Sequence, residues 1–248
     1  MPAIKTVLIT GGGRGIGAAI TQRFLAEGWS TLLTYAQDQK ACDSIVAKAP
    51  SGLAQAYKCD LRVPSEIMGL FATLDRQGIS LDALVNNAGV TGPKTRLVET
   101  SDDVIQEIFA VNAVGTIQLT REAVRRMSKI QGGKGGSVVN ISSTATKAGS
   151  PHQWIHYAAA KGAIDVFTRG LAAEMASEGI RVNAVAPGLI INDPVRAAEI
   201  QARFNTMRHE VPLGRPGFPD EVAAAAFWLC SDEASYVTGT VLPVSGGR

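Results

Sequence analysis

Short apolar runs alternate along this chain with longer segments of helical period. Thr6–Thr10 (TVLIT) reads as a buried strand. A glycine-rich turn follows, then a helix over Ile16–Glu27 that Gly28 ends. Ser30–Tyr35 is the second predicted strand, Leu53–Cys59 a weaker third, and Leu81–Val85 the fourth. Ser137–Ile141, Ile180–Ala186 and Thr240–Val244 complete the set. Helices are predicted over Gln39–Ala47, Pro64–Gln77, Asp102–Ser128, His156–Ser177 and Pro219–Leu229. Strand–helix alternation implies right-handed βαβ crossovers. The expected fold class is therefore α/β: a doubly wound, Rossmann-type domain with a seven-stranded parallel sheet and helices on both faces. No repeat and no Pro/Gly linker divides the chain, so residues 1–248 read as one domain. Gly132–Gly136 (GGKGG) reads as a flexible loop before strand five. Leu189–Pro219 is the longest stretch without strand character, and a substrate lid is expected over 189–219.

Composition narrows the partners. The net charge is only +2 and no run of Lys or Arg occurs, which argues against nucleic acid or an anionic membrane. Cys42, Cys59 and Cys230 are odd in number and scattered, as reduced thiols are, and no Cys/His cluster suggests a metal. Met1–Lys5 runs straight into an apolar strand instead of a leader core. No apolar run approaches the ~18–20 residues of a membrane span. A cytoplasmic location is expected.

Two motifs carry chemistry. Tyr157 and Lys161 stand four residues apart in a helical segment, hence on one face of it. A nearby cation favours the ionised phenol and lowers its pKa from about 10. Such a tyrosine donates a proton to a developing alkoxide near neutral pH. Taken alone the pair is weak, because both residues are ordinary on helix surfaces. The second motif is Thr10-Gly11-Gly12-Gly13-Arg14-Gly15-Ile16-Gly17, between the first strand and first helix. Glycines there let the backbone approach a pyrophosphate seated on the helix N-terminus. The pattern G-x-G-x-x-G/A fits Gly13, Gly15 and Ala18; the pattern T-G-x-x-x-G-x-G fits Thr10, Gly11, Gly15 and Gly17. NAD-preferring folds place an acid at the end of strand two, but Thr34-Tyr35-Ala36-Gln37 has none before Asp38. Arg14 is placed to pair with a 2′-phosphate. NADP(H) is thus the preferred cofactor, with NAD(H) as the alternative.

Further motifs follow in order: Asp60 after strand three, Asn86-Asn87-Ala88-Gly89 after strand four, Asn112 in a long helix, and Ser143 after strand five. Asn183-Ala184-Val185-Ala186-Pro187-Gly188 and Ser235-Tyr236-Val237-Thr238-Gly239 come later. With these the chain resembles the short-chain dehydrogenase/reductases over essentially its whole length. The resemblance implies Tyr157 as the general acid of carbonyl reduction and the base of alcohol oxidation. It implies Lys161 as the group that lowers the tyrosine pKa and holds the nicotinamide ribose. Ser143 would bind the substrate oxygen, and Asn112 would hold a water that links Lys161 to solvent. The implied cofactor contacts are Thr10, Gly11, Gly13, Arg14, Gly15, Ile16, Gly17, Tyr35, Asp60 and Leu61, with Asn87, Ala88 and Gly89. Tyr157, Lys161, Pro187, Gly188, Ile190 and Asn192 complete them. Asp60 would meet the adenine, and the backbone of Asn87–Gly89 the adenosine and its ribose. No metal is implied. Family members are usually homotetramers, and the small residues Ala158, Ala159, Ala160, Gly162 and Ala163 suit a close helix–helix contact there.

Some positions depart from the family pattern. Ser143 lies 14 residues before Tyr157, where 13 is the usual spacing. Adjacent Ser142 would point the opposite way on a strand end. Asn192 replaces a common threonine, and Val244-Ser245-Gly246-Gly247 replaces V-D-G-G. Lys134 suits an acidic carrier protein, but Glu178 would repel it. The loop Gly149–His156 resembles that of sugar and general alcohol dehydrogenases; His152, Trp154 and His156 either line the substrate site or pack the loop. Leu189, Ile190, Ile191, Phe204 and Met207 are either a pocket wall or core contacts. The leading expectation is an NADPH-dependent reductase of a small-molecule carbonyl to its alcohol. The alternatives are an NAD(P)-dependent sugar or polyol dehydrogenase and a 3-oxoacyl-carrier-protein reductase. A cofactor sensor without chemistry is disfavoured, because Asn112, Ser143, Tyr157 and Lys161 are all present.

Overall fold

The computed structural model describes residues 4–192 and 197–248. Seven strands form one sheet: β1 (Thr6–Ile9), β2 (Ser30–Tyr35), β3 (Ala54–Lys58), β4 (Ala83–Asn86), β5 (Gly136–Ile141), β6 (Ile180–Pro187) and β7 (Val241–Val244). Every pairing is parallel and the order is β3-β2-β1-β4-β5-β6-β7. The chain winds outward from β1 to β3, then returns to β4 on the other side of β1. Ligands of such sheets bind at that reversal, beyond the carboxyl ends of the strands.

Helices cover both faces, and the strand residues alternate between two cores. Leu8, Leu32, Leu84, Val138 and Val182 face one layer. It contains α3 (Pro64–Arg76), α5 (Thr116–Met127) and part of α7 (Ile155–Met175). Val7, Ile9, Val85, Val139, Ile141 and Val185 face the other, with α1 (Gly15–Ala26) and α9 (Pro219–Cys230). Burial on both faces is why these strands read as unbroken apolar runs.

The helix expected over Asp102–Ser128 is not continuous. It runs as α4 (Asp102–Phe109), a π-helical segment (Ala110–Gly115) and then α5. The cause is local: the Asn112 side-chain amide donates to the Ile108 carbonyl at 2.9 Å and so competes for the helical ladder. Thr116 Oγ1 donates five residues back, to the Val111 carbonyl at 3.1 Å. Single π turns of this kind cluster at functional sites. α2 (Gln39–Val46) lies near its expected place, and a short α6 (Ala145–Ala148) follows β5.

The lid expected over 189–219 includes residues 193–196, which lie outside the described residues. The rest contains α8 (Ala197–Met207), a helix that the strand-based reading missed. Its base is closed by backbone bonds between Leu189, Ile191 and Gly217. Leu189, Phe204 and Val211, with Met207, form a small core of their own, and Ile190 joins the main core. Phe204 and Met207 are thus packing residues within this segment. Among the described residues no helix is long and apolar enough to cross a membrane.

Gly115 ends the π segment where the Leu61 carbonyl presses closest: a Cβ there would stand 2.2 Å from that oxygen. Gly115→Ala should therefore cost ~1–3 kcal/mol by overpacking, read as a lowered urea midpoint. A loss below about 0.5 kcal/mol, the scale of surface substitutions, would contradict this account of the segment.

Candidate active site

The loop after β1 and the loop after β4 are tied together at the sheet reversal. Thr10 Oγ1 accepts the backbone N–H groups of Asn87 and Ala88, each at 3.0 Å. The Asn87 amide donates to the carbonyls of Thr10 and Gly11 at 3.0 and 3.1 Å. Gly11 needs its positive φ of 63° to make this turn, and a Cβ on Gly17 would stand 2.1 Å from the Gly11 oxygen. Thr10 and Asn87 therefore shape the glycine loop. Gly13 packs on Cys42, whose thiol burial pushes up to about 11 and so keeps protonated.

The Thr10–Gly17 loop leads into α1 at Gly15, Ile16 and Gly17. No side chain caps this helix and no acidic residue lies in its first turn. Its N-terminal N–H groups and positive dipole end therefore suit a pyrophosphate. Asn192 lies directly over the loop, with its carbonyl 2.8 Å from where a Gly15 Cβ would be. Gly188 is bonded to the Val244 carbonyl at 2.9 Å and packs on Ser245, and Pro187 ends β6. Arg14 is 77% exposed and stands 3.5 Å from the Asp38 carboxylate. Asp38 in turn caps α2 through the Ala41 N–H. Tyr35 is half-buried at the end of β2. Asp60 does not stand open: Arg62 grips its carboxylate with bonds of 2.6–3.1 Å and holds it below the usual carboxylate range. Leu61 is buried against the π segment.

The second cluster forms at the end of β5. Ser142 and Ser143 do point apart. Ser142 is buried and donates to the Asp165 carboxylate, whereas Ser143 is half-buried, accepts the Ala145 N–H and lies near enough to the Tyr157 phenol to lower its pKa. Lys161 lies one turn along α7 from Tyr157, only 5% exposed, and its ammonium donates to the Ile141 carbonyl at 2.7 Å. Burial pulls its pKa down to about 8, against the attraction of Asp165. The expected lowering of Tyr157 is not what this geometry produces. Desolvation raises the phenol, only partly offset by the Ser143 hydroxyl, and the ammonium lies 6.0 Å from the ring centroid.

Asn112 joins this cluster through its side chain. Its amide donates to the Val90 carbonyl at 2.7 Å and accepts from the Val90 N–H at 3.1 Å. Gly89 permits the approach, since a Cβ there would lie 2.6 Å from Asn112 Oδ1 and 3.4 Å from Lys161 Nζ. His156 is buried, Trp154 donates to the Gly92 carbonyl at 3.2 Å, and His152 is exposed. Asp165 escaped the sequence reading. Its place four residues beyond Lys161, on the same helix face, was the available signal. Among the described residues no cluster of three His, Cys, Asp or Glu side chains suits a metal ion.

The Lys161 ammonium should titrate near pH 8, followed by NMR of [ε-13C]lysine-labelled protein. Asp165→Asn removes the carboxylate that favours the charged form, so the midpoint should fall further. An unchanged midpoint in that variant would show that Asp165 does not act on Lys161.

The chain is similar to known proteins along nearly its whole length. The family model described as "Enoyl-(Acyl carrier protein) reductase" matches residues 11–248. An uncharacterized oxidoreductase of Escherichia coli (strain K12) is 37% identical, over 97% of this chain and 98% of its own length. Glucose 1-dehydrogenase 2 of Bacillus subtilis (strain 168) is 36% identical, over 98% and 94%. The crystal structure of a putative gluconate dehydrogenase from Agrobacterium tumefaciens superposes with a TM-score of 0.90 at 32% identity, covering 98% of this chain and 95% of that one. The chain shares this fold with its relatives and belongs to the short-chain dehydrogenase/reductases, NAD(P)-dependent oxidoreductases acting on CH–OH groups.

Proposed function

We propose that this chain is an NADPH-dependent reductase that converts a ketone or aldehyde to its alcohol. The observation that carries the reading is the convergence of the Ser143 and Tyr157 hydroxyls beyond β5, with the Lys161 ammonium beside them. A nicotinamide bound along the reversal supplies the hydride. Thr10–Gly17 would cradle its pyrophosphate, and Arg14 the 2′-phosphate. Asn87–Gly89, Asp60 and Leu61 would lie along its adenosine, and Pro187–Asn192 along its nicotinamide.

The remaining work belongs to the side chains. Ser143 donates a hydrogen bond to the substrate carbonyl and steadies charge there. Tyr157 protonates the oxygen as it becomes an alkoxide. A phenol held above its ordinary pKa is protonated at neutral pH, which is the form that reduction requires. Lys161 supplies positive charge beside the phenol and passes it a proton afterwards. The Asn112 side chain is spent on Val90 and Ile108, which leaves its amide no free N–H for a relay. A second reading, oxidation of a sugar or polyol, draws on the relative named glucose 1-dehydrogenase. It predicts turnover only at alkaline pH, where Tyr157 ionises.

The test is oxidation of NADPH and NADH across diketones, keto esters, 3-oxoacyl thioesters and keto sugars. Tyr157→Phe should lower turnover by roughly 10²–10⁴-fold, the usual worth of a general acid. Arg14→Ala should raise KM for NADPH by about tenfold, the loss of one charge-assisted bond, and leave NADH almost unchanged. Full activity in Tyr157→Phe would refute the mechanism; an unshifted NADPH preference in Arg14→Ala would refute the cofactor assignment.

A further inference from the structure

One contact between the lid and the catalytic helix is explained neither by the core nor by the serine–tyrosine–lysine cluster. Arg203, on α8, stacks its guanidinium over Trp154, 5.0 Å from the ring centroid. Trp154 is the residue that opens α7, three positions before Tyr157. Its indole is pinned to Gly92, two residues past the Val90 that Asn112 holds. The stack therefore joins the lid, the catalytic helix and the loop after β4 at the rim of the site.

Three polar atoms at this junction are unsatisfied. Arg203 Nε, Gln153 Oε1 and His156 Nε2 are all buried without a hydrogen-bond partner among the described residues. They are three of the four such atoms found, and they fall in the run 153–156 or on the residue stacked upon it. His156 is only 4% exposed. His156 Nε2 lies against Gly92, beside Ile108 and Val104, while Gln153, Trp154 and Arg203 are half-buried. Ser150 and His152 hold positive φ angles of 46° and 61°, a strained backbone that non-glycine residues rarely adopt. Among the described residues, other charges reach Arg203 only through space. Burial and the neighbouring Arg248 push its pKa down; Glu199 and Glu210 oppose them. The Glu210 carboxylate is itself bonded to Arg248 at 2.8 Å.

A guanidinium held over an aromatic face keeps its planar N–H fork, which matches a carboxylate in two parallel bonds. An amide oxygen and an imidazole nitrogen beside it suit hydroxyl groups. Unpaired buried polar atoms call for a partner, since each costs free energy when left alone. We infer that Arg203, supported on Trp154, binds a carboxylate of the substrate, with Gln153 and His156 receiving its hydroxyls. The substrate class is then a polyhydroxy keto acid. This inference rests on the carbonyl-reductase reading and narrows it. Binding energy from the remote carboxylate would orient the carbonyl at Ser143 and Tyr157.

The test compares 5-keto-D-gluconate with its methyl ester as substrates of the whole protein with NADPH. The wild type should reduce the acid with kcat/KM at least tenfold above the ester, a margin matching one charge-assisted contact. Arg203→Leu should abolish that margin, mainly through KM, with NADPH affinity unchanged. Arg203→Lys, which keeps the charge but loses the planar fork, should restore only part of it. Equal rates on acid and ester, a margin that survives Arg203→Leu, or reduction of neutral ketones but not of the acid would overturn the carboxylate site and leave the reductase reading intact. Absence of turnover on any carbonyl would count against that reading alone. The site is then judged by tryptophan fluorescence on titration with 5-keto-D-gluconate: saturable quenching lost in Arg203→Leu upholds it, and no Arg203-dependent quenching overturns it.

Discussion

A buried ammonium sets the geometry of the candidate active site. Taking Lys161 out of water costs several kcal/mol even after relaxation. The fold offsets that cost with two partners, the Ile141 carbonyl at 2.7 Å and the Asp165 carboxylate one helical turn on. Asp165 is held in turn by Ser142, so the end of β5 and the face of α7 are locked together. Strand alternation then turns the next residue, Ser143, away from the core and onto Tyr157. One buried charge thus decides which serine is available and where the phenol stands.

The cofactor side is organised by a different device, hydrogen bonding across the sheet reversal. Thr10 and Asn87 exchange bonds between the loops after β1 and β4 and close the mouth of the sheet to one shape. The π segment links the two halves. Asn112 reaches Val90 only because the helix widens there, and Gly89 leaves room for the amide beside Lys161. A regular α-helix from 102 to 127 would carry Asn112 on a different face.

Much of this architecture is legible in the residues themselves. The seven strands, their parallel sense and the double winding follow from apolar runs alternating with helical periods, because both faces of the sheet are buried. The glycine loop and the Tyr157–Lys161 pair are legible because each is local. The break at Asn112 is not, since it depends on a side chain meeting Val90, 22 residues away. α8 is hidden by weak amphipathicity: Phe204 is its only residue buried in the core. The direction of the Tyr157 shift differs from expectation because spacing reports proximity to a cation and says nothing of burial. Likewise Asp60 reads as an open acid until Arg62 is seen to hold it.

The most direct test of the central claim is the pH dependence of kcat/KM for carbonyl reduction, in the wild type and in Asp165→Asn. Lys161 is charged below its pKa of about 8, and Tyr157 stays protonated well above that. The rate should therefore fall as pH rises through about 8, with the loss of one proton, and the fall should begin at lower pH in the variant. A profile flat from pH 7 to 9, or one that Asp165→Asn leaves in place, would show that the buried ammonium does not govern this site.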